Sequence, residues 1–279
     1  MEKYFIMEYT MKRIIALVLS VILVVLCLTS CDLIATSKVV DAEEAKAEFL
    51  AAIEALEAED GYVTEMKVDF SSESEEMSET ISALGGTGIT VWRSGENVKT
   101  RLNVLIGDDK ITKTFIAIDD MLYSESIVYV GDEALFLKEC ADFTDADVSM
   151  ILQDAGAGVG VSLDDFATVS ATDVGGKLTI IGTEMDKSAA ASLANILKGR
   201  FSGSGASVIV SDEMIYTAVI TEGKISSTSI ACQYTVIIGG ETYVIDAVIS
   251  EKYSYKDVAI EAPVDADSYT VVALENLIK

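Results

Sequence analysis

Alternating apolar and polar residues dominate the chain beyond residue 60 and predict a long run of β-strands. In the first of these patterns Tyr62, Met66 and Phe70 alternate with Glu65 and Lys67, which is the period of a half-buried strand. Short turn-forming segments separate the patterns that follow, so neighbouring strands are expected to pair as antiparallel hairpins. These patterns cover residues 88–93, 97–106, 111–118, 121–124, 127–130 and 134–138.

One helical pattern precedes the strands, and two others interrupt them. Asp41 is expected to cap the first helix, because Glu44 follows at the spacing of a capping box. Ala45, Phe49 and Leu56 then fall on one apolar face. Apolar residues at helical spacing predict two more helices, over residues 143–154 and 188–198. Strands are predicted again at residues 178–185, 208–211, 215–221, 225–238 and 241–255.

Together these elements predict an α+β domain, in which a strongly curved antiparallel sheet carries two or three helices on its concave side. The long strands of the last third favour strong curvature, because β-strands twist along their length. Helices this short leave two alternatives for the concave side. Either the side chains fill it as a solid core, or a groove remains that can accept an apolar guest.

The first thirty residues have the pattern of an export signal. Lys12 and Arg13 precede an apolar run over residues 14–26, which is typical of a secretory signal peptide. The run ends in Leu28-Thr29-Ser30-Cys31, which resembles the lipobox of bacterial prolipoproteins. That resemblance implies cleavage between Ser30 and Cys31 and a lipid on the Cys31 thiol; the alternative is an uncleaved transmembrane helix. The expected organisation is a signal peptide at 1–30, a lipidated tether at 31–40 and one domain at 41–279.

Charge and composition exclude several functions. The chain has 279 residues, with 20 Lys and Arg against 46 Asp and Glu, and a formal net charge of -26. So acidic a chain is not expected to bind nucleic acid through its phosphates. The absence of histidine excludes histidine-dependent catalytic triads and imidazole metal ligands. An anionic bilayer is expected to repel the acidic body while a lipid anchor holds it at the surface.

The cysteines leave a redox question open. Cys27 would be removed with the leader and Cys31 would carry the lipid, so the body retains Cys140 and Cys232. Outside the cytoplasm these two can form a disulfide, or they can remain reduced thiols. Neither has a histidine partner that would activate it as a nucleophile.

Other candidate chemistry favours structural interpretations. The acidic pairs at 108–109, 119–120 and 164–165 lie in predicted turns, where aspartate is preferred for its local hydrogen bonds. Asp145 and Asp265 begin sequences like calcium loops, but neither continues with the glycine and glutamate of an EF-hand. The glycines at 156, 158 and 160 lack the spacing of a nucleotide-binding loop. We therefore predict no catalytic residue, no metal site and no cofactor.

The order of these elements resembles a known group of proteins. A lipobox, a short tether, an amphipathic helix and a long antiparallel meander interrupted by helices are similar to the LolA/LolB and LppX/LprG type of bacterial envelope lipoproteins. The ending at 253–263 is similar to that of uncharacterised Firmicute lipoproteins of this shape. The resemblance implies a half-barrel sheet with helices on its concave side and a cavity for acyl chains between them. It transfers no ligand residue.

The sequence therefore predicts a non-catalytic, extracytoplasmic lipoprotein, anchored to the membrane through Cys31, that binds or carries a hydrophobic, lipid-like ligand in the concavity. The segment at 202–205 is expected to act as a hinge for the helices. The alternative is a structural lipoprotein with a solid core that contacts another envelope protein. The candidate cavity-wall residues are Tyr62, Met66, Phe70 and Phe115.

Overall fold

A computed structural model describes most of the chain after residue 36. The described residues are 37–74, 87–106, 109–130, 133–143, 162–191, 207–211, 213–238 and 240–277. The chain divides into two compact units, Met1–Lys38 and Val39–Lys279. The expected signal peptide, Cys31, the expected hinge at 202–205 and nearly all of the helix expected at 143–154 lie outside the described residues.

Strands make up most of the described structure. The helices are α1 (Ala42–Glu57) and α2 (Leu274–Leu277), with 3-10 turns at Leu163–Asp165 and Ala266–Ser268 and a further helical stretch at 187–191. None of the described helices is long and apolar enough to span a membrane. The strands are β1 (Ser37–Val40), β2 (Gly61–Ser72), β3 (Thr87–Ser94), β4 (Asn97–Ile106), β5 (Asp109–Ile118), β6 (Met121–Val130), β7 (Glu133–Asp142), β8 (Phe166–Val174), β9 (Lys177–Met185), β10 (Ser207–Val210), β11 (Ile215–Thr221), β12 (Lys224–Ile238), β13 (Glu241–Tyr255) and β14 (Thr270–Val271).

Within the described residues the strands form one open, 14-stranded sheet. From β8 the order is β8-β9-β11-β12-β13-β2-β3-β4-β5-β6-β7-β14, and β10 pairs with β12 beside this path. Neighbours from β8 to β7 are antiparallel, whereas β14 runs parallel to β7. The prediction of a large antiparallel sheet with few helices is confirmed. The strands predicted separately at 121–124 and 127–130 are one strand, β6, and β8 was not predicted.

Helix α1 forms as the sequence predicts. The Asp41 side chain caps its first turn by accepting a hydrogen bond from the backbone N–H of Glu43 at 2.9 Å. The predicted apolar face is buried, with Ala45 and Phe49 inside the larger core cluster. The ring of Phe49 meets the ring of Tyr216 on β11 edge-on, with centroids 6.1 Å apart. Helix α1 therefore lies on the sheet over strands β8, β11 and β12.

The core consists of two apolar clusters on one face of the sheet, which we call the covered face. The larger cluster lies under α1 and includes Ile180, Tyr216 and Val236. The smaller cluster joins Leu122 and Ala141 to Leu277 of α2. Strand registers place residues of both clusters on the same side, because directly opposite residues of antiparallel strands share a face.

The last residues wrap around the β7 edge of the sheet. The ring of Tyr269 meets the ring of Tyr123 edge-on at 5.4 Å, on the face opposite the covered face. The chain then pairs with Cys140 of β7 through Val271, and Leu277 reaches the covered face. This C-terminal wrap covers part of an edge that would otherwise expose its backbone hydrogen-bonding groups.

Candidate functional site

The four predicted cavity-wall residues share the covered face but do not surround one space. Tyr62, Met66 and Phe70 alternate along β2, and the registers of β3, β4 and β5 place Phe115 on the same side. Met66 is buried, whereas Phe70 is 36% exposed and its ring meets the ring of Tyr234 at 6.4 Å. Phe115 lies three strands from β2, about 14 Å at the usual strand spacing. The four residues therefore share a face, and their role as a cavity wall stays a prediction.

The Phe115 end of the face contains a half-buried cation. The Nζ of Lys113 lies 4.7 Å from the ring centroid of Phe115 and donates a hydrogen bond to the carbonyl oxygen of Leu277 at 3.2 Å. Burial lowers the pKa of Lys113, and the nearby Glu139 carboxylate acts in the opposite direction. Lys113 thus ties the C-terminal wrap to the sheet.

A carboxylate with two hydroxyl donors lies on the covered face between the two clusters. The Oε2 of Glu251 accepts hydrogen bonds from the Thr228 hydroxyl and the Tyr253 hydroxyl, each at 2.7 Å. Burial, together with the Glu251 charge, raises the pKa values of Tyr253 and Tyr216 above the ordinary value, so both phenols remain protonated donors at neutral pH. Alternation along β13 placed Glu251 on this face, but nothing in the sequence indicated its partners.

Part of the covered face remains exposed and apolar. Leu135 and Leu137 of β7 lie on the same face as Ala141, yet they are 62% and 53% exposed. Phe70, at the far end of β2, is the third such residue. Leu135 and Leu137 lie together, whereas Phe70 is five strands from β7, about 24 Å at the usual strand spacing. These three residues are the exposed apolar part of the described face, in two separate places.

A groove in the described region lies elsewhere and is lined by both charged and apolar residues. It has a volume of about 500 Å³ and lies where β8 and β9 meet. None of the predicted cavity-wall residues lines it, so it is not the predicted apolar cavity. Its lining residues are Asp164, Phe166, Ala167, Glu184, Met185, Asp186 and Lys187.

The two body cysteines are free in the structure, so the disulfide alternative is not realised. Cys140 lies on β7 and Cys232 on β12, and six strands separate them in the sheet. At the usual strand spacing the two are about 34 Å apart along the sheet, far beyond the reach of a disulfide. Burial, with the Asp246 charge adding, raises the pKa of the Cys232 thiol to about 11.

The acidic pairs that the structure describes serve local structure. Asp119 and Asp120 have φ values of 50° and 60° and form the turn between β5 and β6. Asp165 accepts a hydrogen bond from the backbone N–H of Ser162 at 2.7 Å in a capping box. Asp265, at the start of the second calcium-like sequence, accepts one from Lys138 at 2.6 Å. Among the described residues, no three metal-binding side chains form a group.

Comparison with known proteins gives distant likenesses only. No family model and no curated protein matches the chain. The crystal structure of the lipoprotein LppX of Mycobacterium tuberculosis is 12% identical, covers 79% of this chain and 100% of its own, and has a TM-score of 0.37. That of the ywiB protein of Bacillus subtilis is 6% identical, covers 70% and 92%, and has a TM-score of 0.15. At these values neither likeness assigns a family or an activity.

Proposed function

We propose that this chain is an extracytoplasmic lipoprotein that is anchored through Cys31 and binds or carries a hydrophobic, lipid-like ligand without catalysis. The ligand would lie against the covered face, which the proposal takes to be the concave side of a half-barrel. The observation that supports it is the apolar surface this face leaves exposed at Phe70, Leu135 and Leu137. Covering such surface contributes roughly 25 cal/mol per Å².

A second candidate is a structural lipoprotein with a solid core. Met66 and Ile89 face each other on β2 and β3, between the two clusters, and both are already buried within the chain. A face that is filled there would leave no room for acyl chains at its centre. The exposed apolar residues would then contact another envelope protein.

Ligand binding distinguishes the two candidates. Residues 32–279 retain both core clusters, and we expect native mass spectrometry of this body to show co-purifying lipid. Uptake of a fluorescent fatty acid should weaken in Phe70→Ser and Leu137→Ser. Val248→Ser is the matched control, because Val248 is 39% exposed on the opposite face and its loss should leave uptake unchanged. If native mass spectrometry showed only the mass of the protein alone, and no fluorescent fatty acid were taken up, the solid-core candidate would be favoured.

The anchor has its own test. In a bacterial host the full chain should incorporate labelled palmitate, and Cys31→Ala should abolish that label. Cys27→Ala is the matched control, because Cys27 precedes the expected cleavage site and should not carry lipid. Label retained in Cys31→Ala would contradict the anchor whether or not the body binds a ligand.

A further inference from the structure

The central strands of the sheet reverse the charge balance of the chain. In the whole chain 46 acidic residues face 20 basic ones. On the face opposite the covered face, strands β3, β4 and β5 instead contain no acidic residue and three basic ones: Lys99, Arg101 and Lys110. A cationic region of this kind within an acidic protein points to an anionic partner.

Trp92 lies between two of these cations, on the face opposite the covered face. Lys99 pairs directly with Trp92 in the β3–β4 register, and its Nζ is 5.6 Å from the indole centroid. The guanidinium carbon of Arg101 is 5.7 Å from the same ring. Within the described residues, neither Lys99 nor Arg101 forms a salt bridge. We call these three residues the Trp92 face.

Neighbouring carboxylates do not neutralise the Trp92 face. On β2, Asp69 is paired with Lys67 at 2.7 Å, and Glu65 lies directly across from Lys252 of β13. On the other side Glu125 of β6 lies 3.6 Å from the Nζ of Lys138. Glu125 and Asp265 share Lys138, and no carboxylate of the described residues forms a salt bridge with Lys99 or Arg101, so the charges of these two residues remain for a partner.

We propose that the Trp92 face docks on the headgroup region of an anionic lipid bilayer. Trp is enriched at membrane interfaces because its ring is apolar and its N–H is polar, and Lys and Arg beside it attract lipid phosphates. The proposal rests on the membrane location proposed above and adds a second contact beyond the Cys31 lipid.

The net charge of -26 does not oppose this contact at close range. At physiological ionic strength the Debye length is about 8 Å, so carboxylates on distant parts of the body are largely screened. The cations of the Trp92 face meet the phosphates at contact distance, where screening is weakest. An acidic body can therefore approach an anionic membrane in this one orientation.

Intrinsic fluorescence tests the proposal directly, because Trp92 is the only tryptophan in the chain. Residues 32–279 contain the whole compact unit Val39–Lys279 and both core clusters. With vesicles of equal parts phosphatidylcholine and phosphatidylglycerol, we expect Trp92 emission to shift to the blue, and added salt to reverse the shift. Vesicles of phosphatidylcholine alone should produce no shift.

Charge variants separate the Trp92 face from general electrostatics. Lys99→Gln with Arg101→Gln should weaken partitioning to anionic vesicles by about tenfold or more. Lys177→Gln with Lys256→Gln removes the same charge at exposed positions elsewhere and should change it less than about twofold. Thermal unfolding of each variant shows that it is folded.

Three results would overturn the proposal: no shift with anionic vesicles, equal weakening in the control pair, or the same shift with soluble polyphosphate at the same salt concentration. The last would assign the face to a soluble polyanion instead. None of them affects fatty acid uptake at the covered face or palmitate labelling at Cys31. Failure here is therefore distinguishable from failure of the proposed function.

Discussion

Gly182 of β9 is the position where a single methyl group should disturb the core most clearly. It lies opposite Tyr216 of β11, with the ring of Phe166 directly over it. A Cβ at this position would lie 2.8 Å from Cγ and 2.9 Å from Cδ2 of Phe166. Both distances are shorter than real carbon contacts, so Phe166 would have to move.

The ring of Phe166 has little room to move away from an added methyl group at Gly182. It is buried, and its ring stacks on that of Tyr216 at 5.9 Å. Tyr216 in turn meets Phe49 of α1, so a shift of Phe166 is transmitted to the helix. Overpacking of this kind costs about 1–3 kcal/mol. The lower entropy of an unfolded chain with alanine offsets about 0.4–1 kcal/mol. We therefore expect Gly182→Ala to lower the free energy of unfolding by about 1–2 kcal/mol.

Urea and thermal unfolding of residues 32–279, followed by circular dichroism, measure this change. For a unit of this size each kcal/mol corresponds to roughly 2–4 °C in Tm, so a decrease of about 2–8 °C is expected. Gly88→Ala is the matched control, because Gly88 is also in a strand but has no atom within 4 Å of its added Cβ. It should be neutral or slightly stabilising. If Gly182→Ala were as stable as Gly88→Ala, the packing of Phe166 against β9 would be wrong.

Two further outcomes follow from the core. The pKa of the Cys232 thiol is raised from 9.0 in the unfolded chain to about 11 in the folded protein. The protonated thiol therefore contributes its full stability below pH 9, and this contribution is lost as the pH rises towards 11. The free energy of unfolding should therefore fall over this range by roughly 2–3 kcal/mol more in the wild type than in Cys232→Ala, and parallel pH profiles would contradict the buried thiol. Leu277→Ala should lower the free energy of unfolding by about 2–4 kcal/mol, because Leu277 is fully buried in the smaller cluster. Asn276→Ala, at an exposed neighbouring position, should stay within about 0.5 kcal/mol, and equal effects of the two would show that the C-terminal wrap contributes no packing.

The local features of the fold could be predicted from the sequence because they depend on neighbouring residues. Asp41 caps α1, and the apolar face of α1 is buried, as the spacing of its apolar residues predicted. The turn at Asp119 and Asp120 follows from the tolerance of aspartate for positive φ. Strand β6 was divided in two because Glu125 and Ser126 look like a polar break. In the structure both continue the strand, since Glu125 pairs with Lys138 and Ser126 lies directly opposite Leu137 on β7.

Pairings between consecutive strands, as from β3 to β7, were predicted from the short turns between them, but pairings between distant parts of the chain could not be predicted. Strand β2 pairs with β13, so residues about 180 positions apart in the sequence are neighbours, as Lys67 and Ser250 are. Alternation assigns a residue to a face but does not say which strands lie beside it. For this reason the sequence placed Met66 in a strand without showing that Glu251 of β13 lies directly opposite it.

The two proposed surfaces belong to opposite faces of the same strands, so they depend on one register. On β3 the covered face receives Ile89, and the other face receives Trp92. Because side chains alternate with a period of two, a slip of one residue between β3 and β4 would move Lys99 to the covered face and remove it from Trp92. An apolar guest on one face and an anionic bilayer on the other thus require the same pairing of Trp92 with Lys99. Since the two surfaces are proposed to bind different ligands, the vesicle and fatty acid assays should respond to different substitutions in this shared sheet.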